Sequence, residues 1–314
     1  MTELTLGVDV GGTKIAGGVV DEHGVILRRT RRETDSEDAD AIMSSIIDVI
    51  RELAETQPVV AVGVGSAGFV DAQRANVLFA PNLAWRDMPV RERVMAATGL
   101  PTVVENDANA AAWGEFRFGA AADLDHMVCV TIGTGVGGGI VLGGQLYRGA
   151  HGIGAEIGHM QLVPGGHLCG CGLHGCLEQY ASGTALVREA IDLTERRPDD
   201  AKQLLALAGG VRSGITGPMV TAAARTGDRA AIAAFDLVGR WLGEGLGTLT
   251  ALLDPEVFVI GGGASEAGGL LLGPAERRLS EKITGKGHRP EPVVRLATLG
   301  NDAGLVGAAD LARI

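Results

Sequence analysis

Alternating apolar residues from Leu4 to Val10 predict a strand, Gly11-Gly12-Thr13-Lys14 a turn, and Ile15 to Val20 a returning strand. Residues 38–55 place Ile42, Ile46, Val49 and Leu53 at helical spacing. Val59 to Gly65 reads as a buried strand running into Gly65-Ser-Ala-Gly68, and Thr102 to Glu105 as another short strand. Asp107 then opens an alanine-rich helix to about Phe116, with the carboxylate suited to its cap or first turn. The second half repeats the opening. Val128 to Ile132 is a strand, Gly133-Thr-Gly-Val-Gly-Gly-Gly139 a turn, and Ile140 to Leu142 a return strand. A helix follows from about Ser182, and a longer one over roughly 228–252 carries Ile232, Phe235, Trp241, Leu242, Leu246 and Leu249 on its apolar side. Val257 to Ile260 and Val293 to Leu296 are strands, and a helix ends the chain. Two strand–glycine turn–strand hairpins, each heading one half, predict a duplicated α/β architecture with a cleft between the halves.

Composition narrows this picture. With 314 residues, 46% of them hydrophobic, the chain suits one large or two ordinary domains. No apolar stretch reaches the ~18 residues of a membrane span, so no membrane partner is expected. A net charge of −11 argues against a nucleic-acid surface. The 49 glycines cluster at strand-to-turn junctions rather than in repeats, which points to close backbone approaches. Few cysteines, grouped as ligands, and no secretory-type N-terminus give the expectation of a reducing cytoplasm.

The densest chemistry lies between Glu156 and Glu178. His159, Cys169, Cys171 and Cys176 form the ligand set of a closed tetrahedral zinc site. A disulfide or unpaired core thiols are the alternatives, but a Cys-x-Cys pair is too close for ordinary bridge geometry. Zinc on one nitrogen of His159 leaves the other as a donor. Glu156 and Glu178 flank the loop as acceptors, a constellation for a polyhydroxylated molecule or, alternatively, support for the metal loop alone.

Gly133 to Gly138 formally satisfies G-x-G-x-x-G, yet a strand follows where a dinucleotide fold requires a helix. Gly7 to Lys14 likewise falls short of a P-loop. The turns either serve packing only or offer backbone N–H groups to phosphate. An Asp just before the first and threonines in both favour phosphate. Asp9 would hold Mg²⁺ through water, unless it only caps its turn. Glu105-Asn106-Asp107 joins a strand to a helix and sets an amide and a carboxylate where they can meet a sugar hydroxyl. The helix N-terminus should keep Asp107 ionised. Read alone, Gly68 and Asn82 could be plain turn residues.

Asp9-Val-Gly-Gly-Thr-Lys14, Glu105-Asn-Asp-Ala-Asn-Ala-Ala110, Gly133-Thr-Gly-Val-Gly-Gly138 and the zinc segment together resemble the ROK family of sugar kinases and sugar-responsive repressors, and within it most closely the bacterial, particularly actinobacterial, glucokinases. The resemblance implies an actin-like ATPase (ribonuclease H-like) duplicated fold. Its small domain would hold residues 1–108 and 299–314, and its large domain residues 109–298 with the zinc loop. It implies Asp107 as general base for ATP-dependent phosphorylation of the glucose 6-hydroxyl. Gly68, Asn82, Asn106, Asp107, Glu156, His159 and Glu178 would contact sugar. Asp9, Gly11, Gly12, Thr13, Lys14, Gly133, Thr134, Gly135, Gly137, Gly138, Gly262 and Gly263 are assigned to the nucleotide, with Mg²⁺ at Asp9. His159, Cys169, Cys171 and Cys176 match the family's zinc ligands. A homodimer or homotetramer is expected. Another hexose (mannose, fructose, N-acetylmannosamine) as acceptor, or polyphosphate as donor, is the alternative. A repressor would require an N-terminal helix-turn-helix module and a basic face, whereas the first hairpin begins within ten residues of an acidic chain. A zinc hydrolase would require an open ligand position.

Overall fold

The computed structural model describes residues 3–33 and 36–313. The chain runs β1 (Leu4–Val10), β2 (Lys14–Val20), β3 (Ile26–Glu33), α1 (Ala39–Ala54), β4 (Val59–Ser66), β5 (Phe69–Val70), β6 (Val77–Phe79), β7 (Arg86–Met88), α2 (Val90–Thr98), β8 (Thr102–Asn106) and α3 (Asp107–Phe118). It continues with β9 (Met127–Ile132), β10 (Val136–Leu142), β11 (Gln145–Tyr147), α4 (Glu178–Ala181), α5 (Gly183–Arg196), α6 (Lys202–Leu207), α7 (Gly217–Arg225) and α8 (Arg229–Leu253). Last come β12 (Val257–Gly261), α9 (Gly269–Lys282), β13 (Val293–Leu296) and α10 (Ala303–Leu311).

The first sheet has the order β3-β2-β1-β4-β8 and the second β11-β10-β9-β12-β13. In each, an antiparallel pair at one edge gives way to parallel pairing at the other. The repeated order is the duplication that the two glycine hairpins predict. A third sheet, β5-β6-β7, is built from very short strands. The chain divides into two compact units. One holds Met1–Cys129, Gly138–Ala155 and Ala297–Ile314, the other Val130–Gly137 and Glu156–Leu296. The first break therefore falls later than the expected boundary at 108, because α3 packs along α10 and stays with the first sheet.

In the first unit α1 lays Ile42, Met43, Ile46, Val49, Ile50 and Leu53, all fully buried, against the sheet core of Leu6, Val8, Ile15 and Val62. Each such side chain contributes roughly 1.5–3 kcal/mol by removal from water. Asp38 caps this helix by accepting the N–H groups of Asp40 and Ala41. The helix α10 covers the sheet at glycines. A Cβ on Gly7 would lie 2.0 Å from the Leu305 carbonyl oxygen, and one on Gly63 1.7 Å from that of Ala308. Gly307 repeats this against Ala110 of α3, at 1.8 Å. Backbone meets backbone in all three places, so no side chain can turn aside. Gly63→Ala is expected to destabilise the fold by about 3 kcal/mol, the upper end of ordinary overpacking. A urea midpoint equal to that of the unsubstituted protein would contradict this packing.

In the second unit α8 packs on α9 and α5. Gly239 and Gly243 admit α9 closely, since a Cβ at either would lie 2.6 or 2.3 Å from the carbonyl oxygens of Leu271 and Ala275. Phe235, Leu242, Leu246 and Leu249 are buried as the spacing predicts, but Ile232 is 41% exposed, one turn from the helix start. The second glycine turn is also shorter than expected. It spans Gly133 to Gly135, and β10 resumes at Val136, so Gly137 and Gly138 are strand residues. A Cβ on Gly139 would lie 2.4 Å from the Ala112 methyl, which accounts for one of these glycines by packing.

Candidate functional site

Parallel strands of the first sheet align their carboxyl ends. Asp9 of β1 is in register with Gly65 of β4, and Gly65 with Glu105 of β8. Ligands of open α/β sheets gather at such ends. The β1–β2 turn is closed by the Gly11 N–H donating to the Lys14 carbonyl at 3.0 Å. The turn lies against the loop carrying Asn82, where a Cβ on Gly12 would be 3.3 Å from the Asn82 carbonyl oxygen. That loop is held from within, because one Arg86 nitrogen donates to the carbonyls of Ala80 (2.9 Å), Leu83 (3.2 Å) and Trp85 (2.6 Å). Gly68, at φ +112°, sits so close to the same loop that a Cβ would be 2.2 Å from the Phe79 carbonyl oxygen. Only glycine fits that position.

Asn106, not Asp107, caps α3. Its Oδ1 accepts the Asn109 N–H at 3.0 Å, while its Nδ2 donates to the Gly68 carbonyl at 3.0 Å. Asp107 is the first helical residue, and its Oδ1 accepts the Ala108 N–H at 2.9 Å. Asn82, Gly68, Asn106, Asp107, Asp9 and the Gly11–Lys14 turn are thus brought together within one unit. The expectation that the helix N-terminus dominates Asp107 fails. Burial pushes its carboxyl above the ordinary carboxylate range, and the amides of Ala108 and of Asp107 itself only partly oppose this. Such a carboxylate is a better proton acceptor than a solvated one.

Burial first, and then the charge of Asp107, push Asp9 up to about 6, with Lys14 pulling the other way. The folded protein therefore binds a proton here that the unfolded chain, near 3.8, has released. Stability from this group is fully present below about pH 4 and lost as pH rises through about 6. Asp9→Asn is accordingly expected to raise the stability of the ligand-free protein at pH 7.5 by on the order of 1–2 kcal/mol. Thermal unfolding at pH 7.5 and pH 4 checks the sign, since the gain should vanish at the lower pH. A variant less stable at pH 7.5 would contradict the carboxylate strain.

The second unit holds the remaining candidates. Ala155, at φ +69°, is an L residue in left-handed backbone immediately before Glu156, the kind of strain that functional segments carry. A single 3-10 turn, Ile157–His159, then presents the imidazole, and the His159 N–H donates to the Glu156 carbonyl at 3.0 Å. His159, Cys169, Cys171 and Cys176 bring their ligand atoms within 4.8 Å of one another. Cys171 Sγ and Cys176 Sγ are 3.7 Å apart, and Cys169 Sγ and His159 Nδ1 3.6 Å. Tetrahedral zinc with Zn–S near 2.3 Å spaces its ligands by about 3.7 Å. The donor set fits that ion.

Glu178 is not a spare carboxylate beside this cluster. Its Oε2 accepts the Val136 N–H at 3.2 Å, and its Oε1 lies 3.5 Å from Cys169 Sγ. A Cβ on Gly135 would approach Oε2 to 2.2 Å. Glu178 therefore ties the cysteine loop to the second glycine turn, which is gripped again by Gly183 N–H to the Gly133 carbonyl (2.8 Å) and Thr184 Oγ1 to that of Thr134 (2.7 Å). Gly262, at φ +84°, lets the end of β12 come so near β9 that a Cβ would be 2.5 Å from the Ile132 carbonyl oxygen, whereas Gly263 faces open space. Among the described residues no helix is long and apolar enough to cross a membrane.

Comparison with known proteins adds identity to this geometry. The family model described as "ROK family" matches residues 5–314. The glucokinase of Streptomyces coelicolor is 49% identical over 310 residues, covering 99% of this chain and 98% of that protein. The glucokinase of Thermotoga maritima is 37% identical and covers 98% of this chain and 96% of its own. A crystal structure of a ROK family glucokinase from Streptomyces griseus, in complex with glucose and AMPPNP, superposes with a TM-score of 0.87 at 51% identity over 99% of both chains.

Proposed function

We propose that this chain, which belongs to the ROK family, is an ATP-dependent glucokinase that transfers the γ-phosphoryl group of ATP to the 6-hydroxyl of glucose. The actin-like ATPase fold of the family and the glucose- and AMPPNP-bound relative support the reaction class. The observation that carries the mechanism is Asp107, a carboxylate of raised proton affinity at the start of α3, beside the Asn106 cap.

Asp107 accepts the proton of the 6-hydroxyl as that oxygen bonds to the γ-phosphorus, while the bond from the γ-phosphorus to the β,γ-bridging oxygen breaks and ADP leaves. Asn106, tied to Gly68, fixes the carboxylate's helix and offers its amide to the sugar. Asn82 and Gly68 add contacts in the first unit, and Glu156, His159 and Glu178 in the second. With zinc held by one ring nitrogen of His159, the other would remain as an N–H donor. The N–H groups of the Gly11–Lys14 turn, the Lys14 ammonium and the Gly133–Gly135 turn serve the phosphates, with Gly137, Gly138, Gly262 and Gly263 on the flanking backbone. Asp9 is assigned to Mg²⁺ through water. A carboxylate raised by burial and by a second carboxylate suits a cation partner. Bound there, the ion supplies neutralisation of phosphate charge, and positioning then accounts for most of the remaining acceleration. Zinc on His159, Cys169, Cys171 and Cys176 supplies a structural crosslink. The same reading makes the protein a cytoplasmic enzyme, a homodimer or homotetramer, without nucleic-acid or membrane partners.

Phosphorus NMR of the product tests the reaction. Coupling of the new phosphate to the two C6 protons of glucose is the expected result. Phosphate on another hydroxyl, or release of inorganic phosphate alone, would refute it.

A further inference from the structure

Glu105 is fully buried, one residue before the Asn106 cap and two before Asp107. Its Oε1 accepts the Asn106 N–H at 3.0 Å and lies 3.2 Å from Asn109 Nδ2, which donates to it. Its Oε2 lies 2.8 Å from Arg148 Nε and 3.1 Å from Arg74 Nε. Both arginines are bound further into the first unit. Arg148 donates from its two terminal nitrogens to the carbonyls of Asp71 (2.9 Å) and Ala72 (3.2 Å). Arg74 occupies left-handed backbone at φ +54°, and its carbonyl accepts the Val104 N–H of β8 at 3.0 Å. Three segments distant in sequence, the 71–76 turn, the β8–α3 junction and the stretch after β11, therefore converge on one carboxylate.

A buried ion pair is weak evidence for stability, because desolvation offsets most of its attraction. What this cluster does is fix geometry. It holds the cap residue through the Asn106 N–H and the first turn of α3 through Asn109 Nδ2, and misplacing a base by about 1 Å costs on the order of 100-fold in rate. We propose that Glu105 and Arg148 are positioning residues that hold Asn106 and Asp107 in register for phosphoryl transfer. This rests on the glucokinase reading of the same site. Arg148 is the sharper handle, since Arg74 remains to neutralise Glu105 when it is removed.

The test is steady-state kinetics of Arg148→Met and Arg148→Lys, expressed per folded molecule from unfolding curves, in the wild-type and Asp107→Asn backgrounds. Arg148→Met is expected to lower kcat about 10–100-fold and to raise the glucose KM, with the ATP KM changed less than about twofold. Arg148→Lys, which keeps the charge but not the fork to Asp71 and Ala72, should recover part of kcat. On the Asp107→Asn background the kcat effect should largely disappear, because positioning an absent base has no value. A structural role alone would leave kcat per folded molecule unchanged, or lower it equally in both backgrounds, and either result overturns the inference. Should Arg148→Met not fold, Arg148→Gln replaces it with the same outcomes. Absence of glucose phosphorylation by the wild-type protein would instead refute the glucokinase reading.

Discussion

Asp107→Asn is expected to lower kcat by about 10²–10⁴-fold, the usual loss of a general base, while glucose affinity stays within a few-fold. The amide oxygen of asparagine can still accept the Ala108 N–H that Asp107 Oδ1 accepts at 2.9 Å, so the start of α3 should survive. Asn106, which caps that helix and bonds Gly68, is untouched. The substitution therefore removes proton acceptance together with the negative charge that helps raise Asp9, and leaves the helix start in place. Stopped or coupled assays with calorimetric glucose titration check both halves. A variant retaining near wild-type kcat would remove Asp107 from the chemistry, and one with normal chemistry but no glucose binding would reassign it to recognition.

Loss of the metal should be nearly as severe. Cys171→Ser is expected to take zinc content from one per chain towards zero, and to weaken glucose binding by about 10–100-fold, the range by which a disturbed metal shell lowers metal affinity or activity. Cys171 faces Cys176 at 3.7 Å, and Cys169 lies beside both His159 and Glu178. Releasing one ligand therefore frees His159 and Glu178, two assigned sugar contacts, in the same event. Because Glu178 also accepts the Val136 N–H beyond the second glycine turn, AMPPNP binding should weaken too, though less. Elemental analysis and calorimetry on protein purified without chelators measure both. Wild-type protein without zinc, or a zinc-free variant with unchanged glucose affinity, would contradict the structural crosslink.

The features legible in the sequence are those that depend on near neighbours. The first hairpin, α1 and α8 follow from periods of two and 3.6 residues, and the His/Cys cluster from spacing within one loop. The repeated strand–glycine–strand grammar predicts the shared sheet order. Elements of two or three residues, as in the β5-β6-β7 sheet, carry too few positions for any period to register. Asp107 shows a second kind of limit. Its place at a helix start is local and argues for a lowered proton affinity, but burial, a tertiary property, wins. The Asn106 cap was hidden because either neighbouring polar residue could have filled that role. Glu178 and Glu105 show a third. Their partners, Val136 for one and Arg74 and Arg148 for the other, lie 31 to 43 residues away, and no pattern along the chain pairs them.

A sugar kinase that takes glucose and ATP is tested most directly by kcat/KM for a panel of hexoses, namely glucose, mannose, fructose and N-acetylmannosamine, each with ATP and with polyphosphate. A site that reads hydroxyls through buried polar groups discriminates by up to about 10⁴-fold against a sugar that leaves one unpaired. The expected result is the highest kcat/KM for glucose with ATP, with every other pair well below it. A higher value for another hexose, or for polyphosphate as donor, would contradict it.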